Sequence, residues 1–143
     1  MRHFTGSGLG RVVIVELTRG DLIIESVEAA LAEEGIKNAI VATAVGSVMN
    51  LEYHRPLTLA EVAEDEYLSV KEPFELGNIA GTVIDGVAHF HFSAASPNGI
   101  HIGHLEKGTT ALYLAELTLV EIKGIDLERR LTPENVRKLF PKK

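Results

Sequence analysis

The sequence predicts one α/β domain on three observations. Strand-length runs rich in β-branched residues recur along the chain, turn dipeptides separate the later ones, and one stretch repeats its apolar residues at helical spacing. At 143 residues the chain suits a single continuous core, and 45% hydrophobic with 24% charged residues is the composition of an ordinary globular protein.

The elements follow in order. Arg11 to Leu17 is Val-rich and reads as a strand. Asp21 is placed to cap a helix over Leu22 to Glu34, whose apolar positions Leu22, Ile23, Val27, Ala30 and Leu31 keep a helical period; Gly35 follows as a left-handed C-terminal cap. Ala39 to Val45 and Ser47 to Tyr53 read as extended structure kinked at Gly46. Thr58 and Glu61 have capping-box spacing, which predicts a short helix from Leu59 to about Asp65. Ile79 to Ile84 and Val87 to Ala95 form a hairpin through Asp85-Gly86, and further turns fall at Asn98-Gly99 and Lys107-Gly108. Thr109 to Ile122 is expected as the central strand, and Thr132-Pro133 as the start of a helix from about 133 to 140.

Composition also excludes. Fourteen basic against twenty acidic residues leave a net charge of −6, which disfavours a grip on phosphate backbones, so no nucleic-acid partner is expected. With no cysteine there are neither disulfides nor thiolate ligands. The apolar stretches are too short to span a bilayer and the start has no signal core, so the expectation is a cytoplasmic protein without a membrane partner. The glycines at 46, 77, 81, 99, 103 and 108 do not form a phosphate loop, and Ser47, Ser93 and Ser96 lack a nucleophile-elbow sequence.

The chemistry concentrates in histidines. Four of the six lie between positions 89 and 104. On a strand, His89 and His91 share one face and Phe90 and Phe92 the other. A two-residue turn at Asn98-Gly99 would set Ser93 opposite His104 and His91 opposite Glu106, so His104 joins His89 and His91, diagonal to His91 at about 7 Å. His101 falls on the opposite face and is held as a reserve ligand, because one bulge near Ser96-Pro97 would exchange it for His104. Three neutral imidazoles suit a divalent ion, most readily Zn²⁺ and also Ni²⁺ or Cu²⁺, with an open position for water or substrate. Glu106, on the same surface, is the candidate base. His3 and His54 are lone histidines and read as surface or hydrogen-bonded residues.

Over about residues 10 to 122 the chain resembles the PPC domain family shared by plants and prokaryotes. The likeness is carried by Arg19-Gly20-Asp21-Leu22, Glu34-Gly35-Ile36-Lys37-Asn38-Ala39, Val45-Gly46-Ser47-Val48, Phe74-Glu75-Leu76, Gly77-Asn78-Ile79, His89-Phe90-His91 and Gly103-His104-Leu105. The resemblance implies an α+β domain, a mainly antiparallel sheet flanked by helices, assembled as a homotrimer. In some prokaryotic members histidines near the subunit interface bind metal, and His89, His91 and His104 match those positions. Two departures stand out: Glu75-Leu76 abuts Gly77 without intervening residues, and Ile102 occupies a position often glycine in the family. No Arg-Gly-Arg-Pro AT-hook core is present, so the DNA-binding role of the plant proteins does not carry over.

Three functions remain open on sequence: a metal-binding trimer that recognises a small molecule or protein, a metal-dependent hydrolase or lyase using Glu106, and a metal-free interaction module related to transcription. Enzyme status is undecided among them.

Overall fold

A computed structural model describes residues 1–143. Its elements are β1 (Gly8–Thr18), α1 (Ile23–Glu33), β2 (Ala39–Pro56), β3 (Asp65–Val70), β4 (Phe74–Ile84), β5 (Val87–Ser96), β6 (Gly99–Leu105), β7 (Thr110–Lys123), β8 (Leu127–Leu131) and β9 (Arg137–Pro141). Every strand pairing is antiparallel, which the direct connections impose on β2–β3, β4–β5, β5–β6 and β8–β9. The main sheet runs β1-β7-β2-β4-β5-β6, and β6 then returns to β2, closing a ring of strands.

The 18-residue β2 is the hub. Its residues 53 and 54 pair with β3 on one edge and β6 on the other. The neighbouring registers lay β3 and β4 in succession along the first edge, and β6 and β7 along the second. The expected kink is there: Gly46 takes a φ of +137° at a bulge, packed against the Leu114 carbonyl and the Ala115 backbone, where a Cβ has no room. β7 is interior, between β1 and β2, but the expectation that it is the central strand is corrected by β2, which touches four partners.

The one helix lays Ile23, Ile24, Val27 and Leu31 into the core cluster that also holds Val15, Leu17, Phe90, Phe92, Leu117 and Leu119. Burying each such side chain is worth about 1.5–3 kcal/mol. The helix ends as its glycine predicts: Gly35 sits at φ +67°, Ile36 N–H donates to the Leu31 carbonyl at 2.8 Å and Gly35 N–H to that of Ala32 at 3.0 Å. The start differs, since Leu22 holds the cap position without a side-chain bond. Asp21 instead accepts from the Thr18 backbone N–H at 2.8 Å and hydroxyl at 3.1 Å, tightening the turn before the helix.

Two expected helices are absent, so the sheet is not flanked by helices in the plural. At 57–64 the chain is irregular, with the Thr58 hydroxyl accepting only from Ala60 N–H at 3.3 Å. Leu57, Leu59 and Val62 are all exposed, so this stretch has no apolar face to bury, and one or two isolated turns do not hold a helix without packing. At the C-terminus β8 and β9 form a hairpin. The Thr132-Pro133 pair opens its turn: Thr132 N–H donates to the Val136 carbonyl at 3.0 Å, and Asn135 takes φ +60°. Glu134 accepts from Ala63 N–H at 2.9 Å, tying that turn to the 57–64 loop.

The Asp85-Gly86 turn is as expected, with φ of 52° and 77° and Ile84 opposite Val87. The next hairpin is shifted. Ser96 stands opposite Gly99, so Pro97 and Asn98 are the loop residues. Pro97 has its φ fixed near −65° and no N–H to give the ladder, which suits the first loop position of a turn, and Asn98 N–H bonds the Ser96 hydroxyl at 3.1 Å. Partners therefore sum to 195 instead of the expected 197. A shift of two leaves every side chain on its expected face and replaces the diagonal between His91 and His104 by direct opposition.

Phe90 is fully buried while its strand neighbours His89 and His91 lie on the other face. Phe90→Ala should lower unfolding free energy by about 3–5 kcal/mol, and His91→Ala should leave it within about 0.5 kcal/mol, as measured by urea denaturation.

Candidate metal centre

β5 and β6 deliver the cluster. His89 and His91 project from β5, and His104 from β6, directly across from His91. Ring centroids lie 5.4 Å apart for His89 and His91, 4.6 Å for His89 and His104, and 5.2 Å for His91 and His104. One donor nitrogen from each falls within 4.8 Å of the others. Tetrahedral ligands at ordinary zinc–nitrogen distances stand about 3.4 Å apart, so closing the three rings onto one ion needs only small side-chain rotations.

The helix steadies both strands. Glu28 accepts from Ala88 N–H at 3.0 Å and pairs with Lys107 at 2.7 Å, and Glu25 accepts from Gly108 N–H at 3.0 Å. The buried Thr109 hydroxyl accepts from Glu52 N–H at 3.0 Å and reaches the Glu106 carbonyl at 3.1 Å, fixing the turn after β6.

His54, read from sequence as a lone surface or hydrogen-bonded histidine, is hydrogen-bonded and stands beside this cluster. It stands opposite His104 on β2, and the two rings stack with centroids 4.3 Å apart. Its Nδ1 lies 2.6 Å from Glu106 Oε1, and its Nε2 3.9 Å from Asp65 Oδ2. Glu106 Oε1 is also 4.0 Å from His104 Nε2, so His54, His104 and Glu106 make a second trio sharing one histidine with the first. The signal was present in part: Leu51 and Tyr53 are inward, which turns His54 outward by alternation, but the β2–β6 pairing that brings it to His104 has no local signature. Beside the trio a cleft of about 300 Å³ is lined by Glu52, Tyr67, Glu106 and Lys107 among others.

The reserve ligand is elsewhere. His101 faces the core, its Nδ1 2.9 Å from the Tyr53 hydroxyl and its ring edge-on to Phe74 at 5.2 Å. His3 is exposed in the N-terminal segment before β1.

Burial makes His89 and His104 poor bases. Desolvation, followed by the positive charges of Arg129 and neighbouring histidines, lowers His89 from 6.5 to about 4. Desolvation also lowers His104 to about 4, helped by His54 and His89 and partly opposed by Glu106. Both rings are therefore neutral at pH 7 and ready to donate a lone pair.

The protein's relatives agree with this architecture. Residues 5–123 match the family model described as the Plants and Prokaryotes Conserved (PCC) domain. A solved plant- and prokaryote-conserved protein from Pyrococcus horikoshii is 24% identical with a TM-score of 0.82, over 100% of this chain and 99% of that one. A protein from Archaeoglobus fulgidus described as metal-containing is 20% identical with a TM-score of 0.84, over 99% and 100%. A Salmonella protein is 21% identical with a TM-score of 0.80, over 96% of each chain. No curated protein matches the sequence. No helix is long and apolar enough to cross a membrane.

Two outcomes follow. Between pH 6.5 and about 4 the unfolded chain binds protons at positions 89 and 104 that the folded chain refuses, so metal-free protein loses stability as pH falls through that window and not above it. Urea midpoints should show this slope, flattened in His89→Ala/His104→Ala. Gly103 approaches β2 so closely that a Cβ would stand 2.6 Å from the His54 carbonyl oxygen and 2.7 Å from the Tyr53 ring. Gly103→Ala should separate β6 from β2, seen as loss of amide-exchange protection at Glu106, whose N–H donates to the Glu52 carbonyl at 2.8 Å.

Proposed function

Because the chain belongs to the Plants and Prokaryotes Conserved domain family and gathers three imidazoles on one sheet face, we propose that it is a metal-binding domain, with zinc the ion best suited to the site. The observation that carries this reading is the convergence of His89, His91 and His104 donor nitrogens within 4.8 Å, two of them on rings kept neutral by burial. No thiolate competes in this cysteine-free chain, and neutral nitrogen ligands favour zinc, nickel or copper over magnesium or calcium. Three protein ligands leave zinc a position for water or a small molecule, where it would act as a Lewis acid. The description of the Archaeoglobus relative as metal-containing supports the reading.

The assembly we propose is a homotrimer. Ile100 and Ile102, 76% and 64% exposed, share the face of His104 on β6, and Val12 and Ile14, 60% and 68% exposed, lie on the edge strand β1. Apolar residues beside an open site and on an unpaired edge are surfaces that copies of the same chain would cover. The small molecule then enters between subunits, and nucleic acid remains a poor partner for an acidic chain.

A second reading has one observation in its favour. Glu106 is held 2.6 Å from His54 and 4.0 Å from His104, where a carboxylate could take a proton from metal-bound water, as in a metal-dependent hydrolase or lyase. Turnover lost in Glu106→Gln with metal retained would select it.

Elemental analysis tests the principal reading. Purified protein reconstituted with zinc should hold about one ion per chain, and His89→Ala/His91→Ala should lose it while light scattering still reports a trimer. A wild-type protein that takes up no zinc, nickel or copper would refute metal binding and leave a metal-free interaction module.

A further inference from the structure

Arg129 lies beyond the segment matched by the family model, on the C-terminal hairpin, yet it reaches the histidine face. Its Nη2 donates to the Thr82 hydroxyl at 3.1 Å, and Thr82 stands directly across from His89 on the β4–β5 ladder. Cross-strand partners share a face, so the guanidinium lies on the side of the sheet that carries His89, His91 and His104. Three other arginines have carboxylates, Arg11 with Glu34, Arg55 with Glu66 and Arg130 with Glu128, while Arg2, Arg19 and Arg137, like Arg129, form no ion pair. Arg129 has none; burial alone acts on its charge, and its Nε is shielded from solvent without an acceptor. A half-buried guanidinium stays protonated, so its charge calls for an anion that the protein does not supply.

The surroundings say where that anion belongs. A divalent ion on three neutral imidazoles would add two positive charges beside the arginine. Two carboxylates at the cluster, Glu106 and Asp65, face His54 at 2.6 and 3.9 Å, on the β2 side. We propose that the site takes a small oxyanion, a carboxylate or phosphate group, with one oxygen at the open metal position and another on the Arg129 guanidinium. This rests on the metal reading above and adds to it the class of ligand. Arginine suits the role because its planar fork pairs with two-oxygen anions.

The test is calorimetric titration of the zinc-loaded full chain with inorganic phosphate and, separately, with acetate, in wild type, Arg129→Met and Arg129→Lys. Whichever of the two binds identifies the preferred oxyanion. The expected result is saturable binding of one anion per zinc, weakened about 10- to 100-fold in Arg129→Met and less in Arg129→Lys, at unchanged zinc content. Zinc retained with no saturable anion binding, or with binding equal in wild type and Arg129→Met, would overturn the inference and spare the metal site. Wild type that takes no zinc would overturn both. Should Arg129→Met unfold the hairpin, the wild-type Arg129 Nε–H resonance decides: it should shift saturably with the same anion in zinc-loaded protein, and an unmoved resonance counts against the proposal.

Discussion

The arrangement depends on one close approach: the return of β6 to the far half of β2, where Tyr53 meets Leu105 and His54 meets His104. Gly103 permits it, because any side chain there would collide with the β2 backbone. With that contact made, β4, β5 and β6 become a closed run of strands, and the phenylalanines of β5 are sealed against the helix. The same contact stacks His54 on His104 and brings Glu106 within reach of both. Fold closure and site assembly are thus one event.

Strand alternation then divides the labour. Along β5 every second residue, Phe90, Phe92 and Ala94, goes to the core, and every other, His89 and His91, goes to the opposite face. That outer face is not fully wet. Half-burial costs the charged form of His89 and His104 more than the neutral form, which converts two ordinary imidazoles into standing lone-pair donors. An acidic chain nevertheless places on the same face an arginine with no carboxylate partner, held by the Thr82 hydroxyl.

What was legible in the sequence was what local rules govern. The helix declared itself through its period and Gly35, the β4–β5 turn through Asp85-Gly86, and the face shared by His89, His91 and His104 through parity. Parity survived an error in the turn because Pro97 moved the loop by one residue and the register by two. Long-range pairing was not legible. Nothing near His54 announces β6, and nothing near Arg129 announces Thr82. The two helices expected but absent failed for a related reason: Thr58 and Thr132-Pro133 carry capping chemistry, but capping is worth little where no apolar face is buried, and both serve turns instead.

X-ray absorption at the zinc edge of the reconstituted protein tests the central claim most directly, because it reads the ligand set in solution. The account predicts three imidazole nitrogens at about 2.0–2.1 Å, completed by oxygen. A first shell dominated by carboxylate oxygen, or fewer than three imidazoles, would mean that His89, His91 and His104 do not act together, and would contradict it.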